Sequence, residues 1–286
     1  MRSSRRQFLR LSLGELLTSI RQWDSSLKFG LVTYLWGRDW DIPTLIHNCE
    51  VAGAGGVELR TEHAHGVEVH LRPAERAAVS AQFADSDVLL LGLGTNWAFH
   101  HRDPAQLAHE ITAAKASIVL SHDVGGSGVK VKPDALPSEV DEAQTIAQIG
   151  RALRILGQYG EDYGQEIRLE VHGQGTDRLP VVRRIMEAAD HRNVKVCWNC
   201  NEADLNDPGL AHNFGLVREF FGQTVHIREL DVGTYPYRQL FELLQVSEYE
   251  GWILLEARTE PDDRVAALGH QRLLFDSMVE LTKKSG

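Results

Sequence analysis

From residue 29 onward the chain keeps one rhythm: a short β-rich run, a turn, then an amphipathic helical pattern. The runs are FGLVTYLW (29–36), GVELR (56–60), VLLLGLG (88–94), GVKVKP (128–133), EIRLEVHG (166–173), VKVCWN (194–199), VHIREL (225–230) and GWILLEAR (251–258). Helical patterns lie between them, among them IPTLIHNCEVAGA, PAERAAVSAQFA, DPAQLAHEITAAKASIVL, VDEAQTIAQIGRALRILGQYGEDY and LPVVRRIMEAAD. Asp41, Asp103 and Asp262 stand ahead of helices as caps. Strict alternation implies parallel strands joined by helical crossovers, because a tight turn cannot link parallel neighbours. Eight such units over residues 28–286 fit an α/β fold of one domain, the closed (β/α)8 TIM barrel. An open doubly wound sheet would bring roughly five to seven strands and a phosphate fingerprint. The glycine-rich DVGGSGVK (123–130) precedes a strand instead of following one, so it reads as the turn entering the fourth strand.

Residues 1–27 stand apart as an N-terminal leader. Ser4-Arg5-Arg6-Gln7-Phe8-Leu9-Arg10 resembles a twin-arginine export signal, although Arg10, Glu15 and Arg21 interrupt the apolar stretch behind it. Export to the periplasm and an amphipathic helix opening a cytoplasmic domain are both compatible with this segment. No run of 18 apolar residues occurs, so no membrane span is expected.

A net charge of −10 and the lack of a basic stripe argue against a nucleic-acid partner. Three cysteines, Cys49, Cys197 and Cys200, give no disulfide framework, and the lone C-x-x-C reads as strand packing. The long helical segments at 103–122 and 138–163 offer surface of the kind barrels bury in homodimers, but nothing in the sequence specifies the oligomeric state.

Barrels of this kind carry their chemistry at the C-terminal ends of the strands. Polar residues gather there: Glu58 and Arg60 on strand two, Lys130 and Lys132 on strand four, Glu170 and His172 on strand five. Asn199 closes strand six, His226 and Arg228 lie on strand seven, and Glu256 and Arg258 on strand eight. Five of these strands carry their polar pair at i, i+2, so both members of a pair face the same side. A buried pair such as Glu58 with Arg60 can be simple charge compensation inside a barrel. Two carboxylates and an imidazole converging on one mouth, Glu170, Glu256 and His226, suit a divalent ion instead.

Taken in order, GVELR, LEVHG, VCWN, VHIREL and ILLEAR resemble the xylose-isomerase-like superfamily of barrels, the sugar phosphate isomerase/epimerase group, over roughly residues 28–280. The resemblance implies a divalent ion held by Glu170, His226 and Glu256, with Asn199 where such proteins usually carry an aspartate. Manganese is the first expectation for that ion, with magnesium, zinc or cobalt as others. An asparagine ligates only through its carbonyl oxygen and removes one negative charge, so weaker binding is expected, with Glu202 or His172 as compensating groups.

The activity implied is isomerisation or epimerisation of a keto-sugar or sugar derivative. A proton is removed beside the carbonyl, an enediolate forms, and Glu170 and Glu256 act as the acid/base pair. Glu58, Arg60, His63, His65, Lys132, His172 and Arg228 are the polar residues expected to bind substrate, and Trp36 and Trp97 the expected apolar walls. A 3-keto-glycoside lyase or hydrolase would use the same site. A sugar-binding barrel without catalysis is the reading that Asn199 favours. Phosphodiester cleavage would need more histidine and acidic ligands than this set provides.

Overall fold

The computed structural model describes residues 27–283, so the leader apart from Leu27 lies outside the described residues. Eight parallel strands run through them: β1 (Lys28–Val32), β2 (Gly56–Arg60), β3 (Leu89–Ala98), β4 (Gly128–Lys132), β5 (Glu166–Glu170), β6 (Val194–Cys197), β7 (Thr224–Ile227) and β8 (Trp252–Leu255). Helices follow them in turn: α1 (Ile42–Ala52), α2 (Pro73–Ala84), α3 (Pro104–Asp123), α4 (Glu142–Glu161), α5 (Leu179–Ala189), α6 (Leu210–Val217), α7 (Tyr237–Val246) and α8 (Arg264–Lys283). This is the TIM barrel that the alternation implies.

The ladders run without a break from β6 through β5, β4, β3, β2, β1 and β8 to β7. Between β6 and β7 the ring closes through single bridges, Val196 with Phe221 and Asn199 with His226. Two backbone bonds mark this seam, from the Gly222 N–H to the Val196 carbonyl (2.9 Å) and from the His226 N–H to the Trp198 carbonyl (2.7 Å).

Local chemistry sets the element boundaries. Asp41 and Asp103 cap α1 and α3 by accepting from the Thr44 and Ala105 amides, each followed by a proline in the first helical turn. At α8 the capping carboxylate is Asp263, which accepts from the Val265 and Ala266 amides; the expected cap, Asp262, is displaced by one residue.

Outward-facing strand residues such as Leu31, Val57, Leu93, Val129, Leu169, Val196 and Ile253 pack with the helices in one large buried core. Burying such side chains at about 25 cal/mol per Å2 of apolar surface supplies most of the driving force. A second, small apolar layer of Val32, Leu91 and Leu254, bordered by Tyr34 and Trp252, lies inside the ring. Below it, at the N-terminal ends of the strands, Arg168 is fully buried. Its guanidinium donates to Glu166 (2.7 Å), the Leu91 carbonyl (2.8 Å), Ser127 (2.8 Å) and Gln223 (3.0 Å). Above that layer the interior opens into the polar mouth.

Candidate active site

The register of the strands brings the inward positions of the C-terminal half to one level. Gly94 pairs with Lys130, Glu170 with Cys197, and Leu254 with His226, while Glu256 lies just past the end of β8. Glu170, His226 and Glu256 each offer a ligand atom, and these atoms all lie within 4.8 Å of one another. All three side chains are buried.

Lys130 donates to Glu170 Oε2 at 2.7 Å and to the Thr95 carbonyl at 3.1 Å. Asn199 Nδ2 donates to Glu170 Oε1 at 2.8 Å. Glu58 lies beside His226, with 3.4 Å between Oε1 and Nε2, an ion-pair distance without hydrogen-bond alignment. Glu256 Oε2 accepts from Arg258 at 2.9 Å, and the Arg258 guanidinium covers the Tyr34 ring at 5.3 Å. Glu229 fixes the loop that carries Arg258, accepting from the Arg258 and Thr259 amides and from the Thr259 hydroxyl.

These neighbours set the charges. Burial by itself would raise the Glu170 carboxyl, but the positive charges of Lys130, His226, Lys132 and His172 outweigh it and hold the group well below the ordinary carboxylate range. Glu58 is likewise lowered, with burial opposed by His226, Lys130 and Arg168. Burial works against the charged forms of His226 and Lys130, yet both are raised: His226 by Cys197 and Glu58, Lys130 by Glu170, Glu58 and Glu256. Lys132, nearer the rim, is lowered by burial and by Lys130.

The donor set fits a divalent cation. Both His226 ring nitrogens, Asn199 Oδ1 and both Glu58 carboxylate oxygens are buried without a hydrogen-bond partner. Buried polar atoms left without a partner are costly unless a ligand satisfies them. Imidazole nitrogen together with carboxylate and amide oxygen is a donor set for manganese, zinc or magnesium.

The other expected site residues divide into three groups. Arg60 and His172 flank the mouth, with Arg60 Nη1 on Thr61 and His172 Nδ1 3.8 Å from Asp134. His63 approaches the Thr33 hydroxyl at 3.5 Å, and Arg228 leaves Nε buried and unpaired. His65 is a loop pin instead: its Nδ1 accepts from the Val67 amide and Nε2 donates to the Arg60 carbonyl, so neither nitrogen is free for a ligand.

The tryptophans also differ from expectation. Trp97 turns outward to α3, where its Nε1 donates to Ser117 at 2.9 Å. Trp36 is buried, its Nε1 tied to the Thr259 carbonyl at 2.8 Å. Tyr34, beneath the Arg258 guanidinium, is an aromatic ring that borders the mouth. Glu202, a suggested compensating ligand, is exposed at the start of a 3-10 turn (Glu202–Leu205). Lys130 is the residue whose part at the site the sequence understated; its i, i+2 spacing with Lys132 was the available signal.

A closed barrel whose mouth presents two carboxylates and an imidazole at ligand spacing defines a class of enzyme-like α/β barrels. The sequence places the chain in one family within it: residues 46–276 match the xylose isomerase-like TIM barrel family, and the chain belongs to that family. No curated protein sequence matches it. Among solved structures it is similar to an L-ribulose 3-epimerase, with a TM-score of 0.78 and 16% identity over 91% of this chain and 96% of that one. It is also similar to the 3-keto-D-glucoside 4-epimerase YcjR from E. coli, with a TM-score of 0.73 and 17% identity over 88% and 99% of the two chains. A third is the IOLI protein with a bound zinc atom, with a TM-score of 0.72 and 14% identity over 89% and 99%.

Proposed function

We propose that this chain is a divalent-metal-dependent sugar epimerase or isomerase that acts on a keto-sugar or sugar derivative by proton transfer beside the carbonyl. The observation that carries this reading is the convergence of Glu170, His226 and Glu256 within 4.8 Å at the barrel mouth. Similarity to barrels named as sugar epimerases, and to one named with bound zinc, supports it. Glu170, His226, Glu256 and the Asn199 carboxamide oxygen would hold the ion, with manganese as the first candidate. When bound, it supplies Lewis-acid polarisation of a carbonyl and its neighbouring hydroxyl.

The chain's own residues do the rest. A C–H next to a carbonyl is a weak acid, so a carboxylate held ionised at the site is required to remove its proton. Glu256 keeps slight exposure, and Arg258 engages its Oε2, so it can be reached from the mouth. Glu170 is held ionised by Lys130 and returns or removes the proton as its partner. Arg60, Lys132, His172 and Arg228 would hold substrate oxygens, and Tyr34 would give an apolar edge.

The test is metal content by elemental mass spectrometry after dialysis against manganese, for wild type beside Glu170→Ala and Glu256→Ala. Near-stoichiometric metal in wild type and none in the folded variants is the expected result. Keto-sugars incubated in heavy water should then gain deuterium beside the carbonyl. Loss of a substituent in place of exchange would identify the lyase chemistry on 3-keto-glycosides. No metal, and no shift of the melting temperature on adding manganese, would overturn the proposal in favour of a sugar-binding barrel without catalysis.

A further inference from the structure

Lys130 is an unusual neighbour for a metal ligand. Its side chain is 1% exposed, as is that of Glu170, and Nζ lies 2.7 Å from Glu170 Oε2. It is held from a second direction by the Thr95 carbonyl, while the Thr95 hydroxyl donates to the Lys130 carbonyl at 2.7 Å. The ammonium therefore cannot swing away into solvent. With Asn199 Nδ2 on Oε1, both oxygens of Glu170 already accept from N–H donors supplied by the chain.

We infer that Lys130 sets the affinity of this site for a divalent ion, because its ammonium already neutralises the carboxylate that the ion requires. The inference rests on the metal reading above. Lys130 and Arg258, with Lys132 nearer the rim, oppose the three carboxylates Glu58, Glu170 and Glu256. An ion takes His226 as its neutral imidazole, and the cluster that receives it is one unit more negative without Lys130 than with it. The ammonium also repels an arriving cation across a buried, poorly screened distance. Lys130 thus acts as a resident monovalent counterion, and a divalent ion binds only by sharing Glu170 with it.

The experiment is a calorimetric titration of the full chain with Mn2+, comparing wild type with Lys130→Gln and Lys130→Met, with thermal melting of each in the presence and absence of Mn2+. The glutamine keeps an amide donor for Glu170 without the charge; the methionine removes both and keeps the volume. Both variants should bind one ion at least about tenfold more tightly than wild type, and Mn2+ should raise their melting temperatures by more. If the methionine variant fails to fold, Lys130→Gln alone decides the matter. Equal or weaker binding in Lys130→Gln would overturn the inference while leaving the metal site in place, because Lys130 would then be a strut that holds Glu170 for the ion. Absence of Mn2+ binding in wild type and both variants would overturn the metal reading and this inference together.

Discussion

The barrel interior holds two buried polar clusters, one at each end of the strands, and they are built on opposite terms. At the base, every side-chain nitrogen of Arg168 has an acceptor, and Glu166, Ser127 and Gln223 are drawn into the same network. At the mouth, Glu58, Asn199 and His226 keep buried atoms with no partner. A buried polar network fully paired within the chain is structural, whereas one with orphaned acceptors has capacity left for a ligand. The contrast separates fold from function more clearly than charge or burial does, since both clusters are ionic and both are buried.

The largest effect expected from breaking this contrast is at the base. Arg168→Met strands Glu166 and Gln223 without their shared donor and should cost about 3–5 kcal/mol of stability in urea unfolding, the usual range for removing one partner of a buried pair. A loss below about 1 kcal/mol would show that the base network is dispensable.

At the mouth the effect should fall on turnover instead. Glu256→Gln should lower proton exchange into a keto-sugar by about 100-fold or more while leaving the unfolding midpoint nearly unchanged. A large loss of stability with exchange retained would make Glu256 a structural residue.

His65, in a loop bordering the mouth, gives a pH signature of intermediate size. Burial lowers it to about 4, so the unfolded chain takes up a proton below its ordinary value of 6.5 while the folded chain does not. Its stability contribution is present above pH 6.5 and is lost as the pH falls from 6.5 towards 4, by an amount on the order of 1–3 kcal/mol. Unfolding titrations of wild type and His65→Gln should diverge within that window, with the variant showing the shallower slope.

A smaller effect is expected at Gly94. A Cβ there would sit 2.6 Å from Glu58 Oε1, so Gly94→Ala must push that carboxylate aside. Manganese affinity should change with only about 1 kcal/mol of lost stability. The smallest effect belongs to Trp97→Phe: because the indole faces α3, exchange activity should stay at the wild-type level, and only the bond to Ser117 is lost.

Much of this was legible in the sequence, for physical reasons. Period-two alternation fixes which residues share a face, so Arg168, Glu170 and His172 could be grouped from EIRLEVHG alone. The order of strands then carried Glu170, His226 and Glu256 to one mouth. Alternation does not give height along the barrel axis, which is why Arg168, two residues before Glu170, belongs to the base and not to the site. Nor does it govern residues beyond the ladders. Trp36 and His65 lie in loops, and Trp97 in the stretch of β3 where the register to β4 shifts; there indole and imidazole nitrogens found backbone or helix partners that no spacing rule anticipates. Lys130 shows a third limit, since a pattern reveals that a lysine faces inward but not which carboxylate it meets.

The seam between β6 and β7 has a mechanical consequence. The two edge strands of an otherwise continuous ladder meet through the backbone at Asn199 and His226, and the side chains of those same two residues face the site. A ligand gripping both would act as a clasp across the weakest join of the ring. Occupancy and rigidity would then be coupled through geometry alone, and amide protection along Thr224–Ile227 would report directly whether the clasp is fastened.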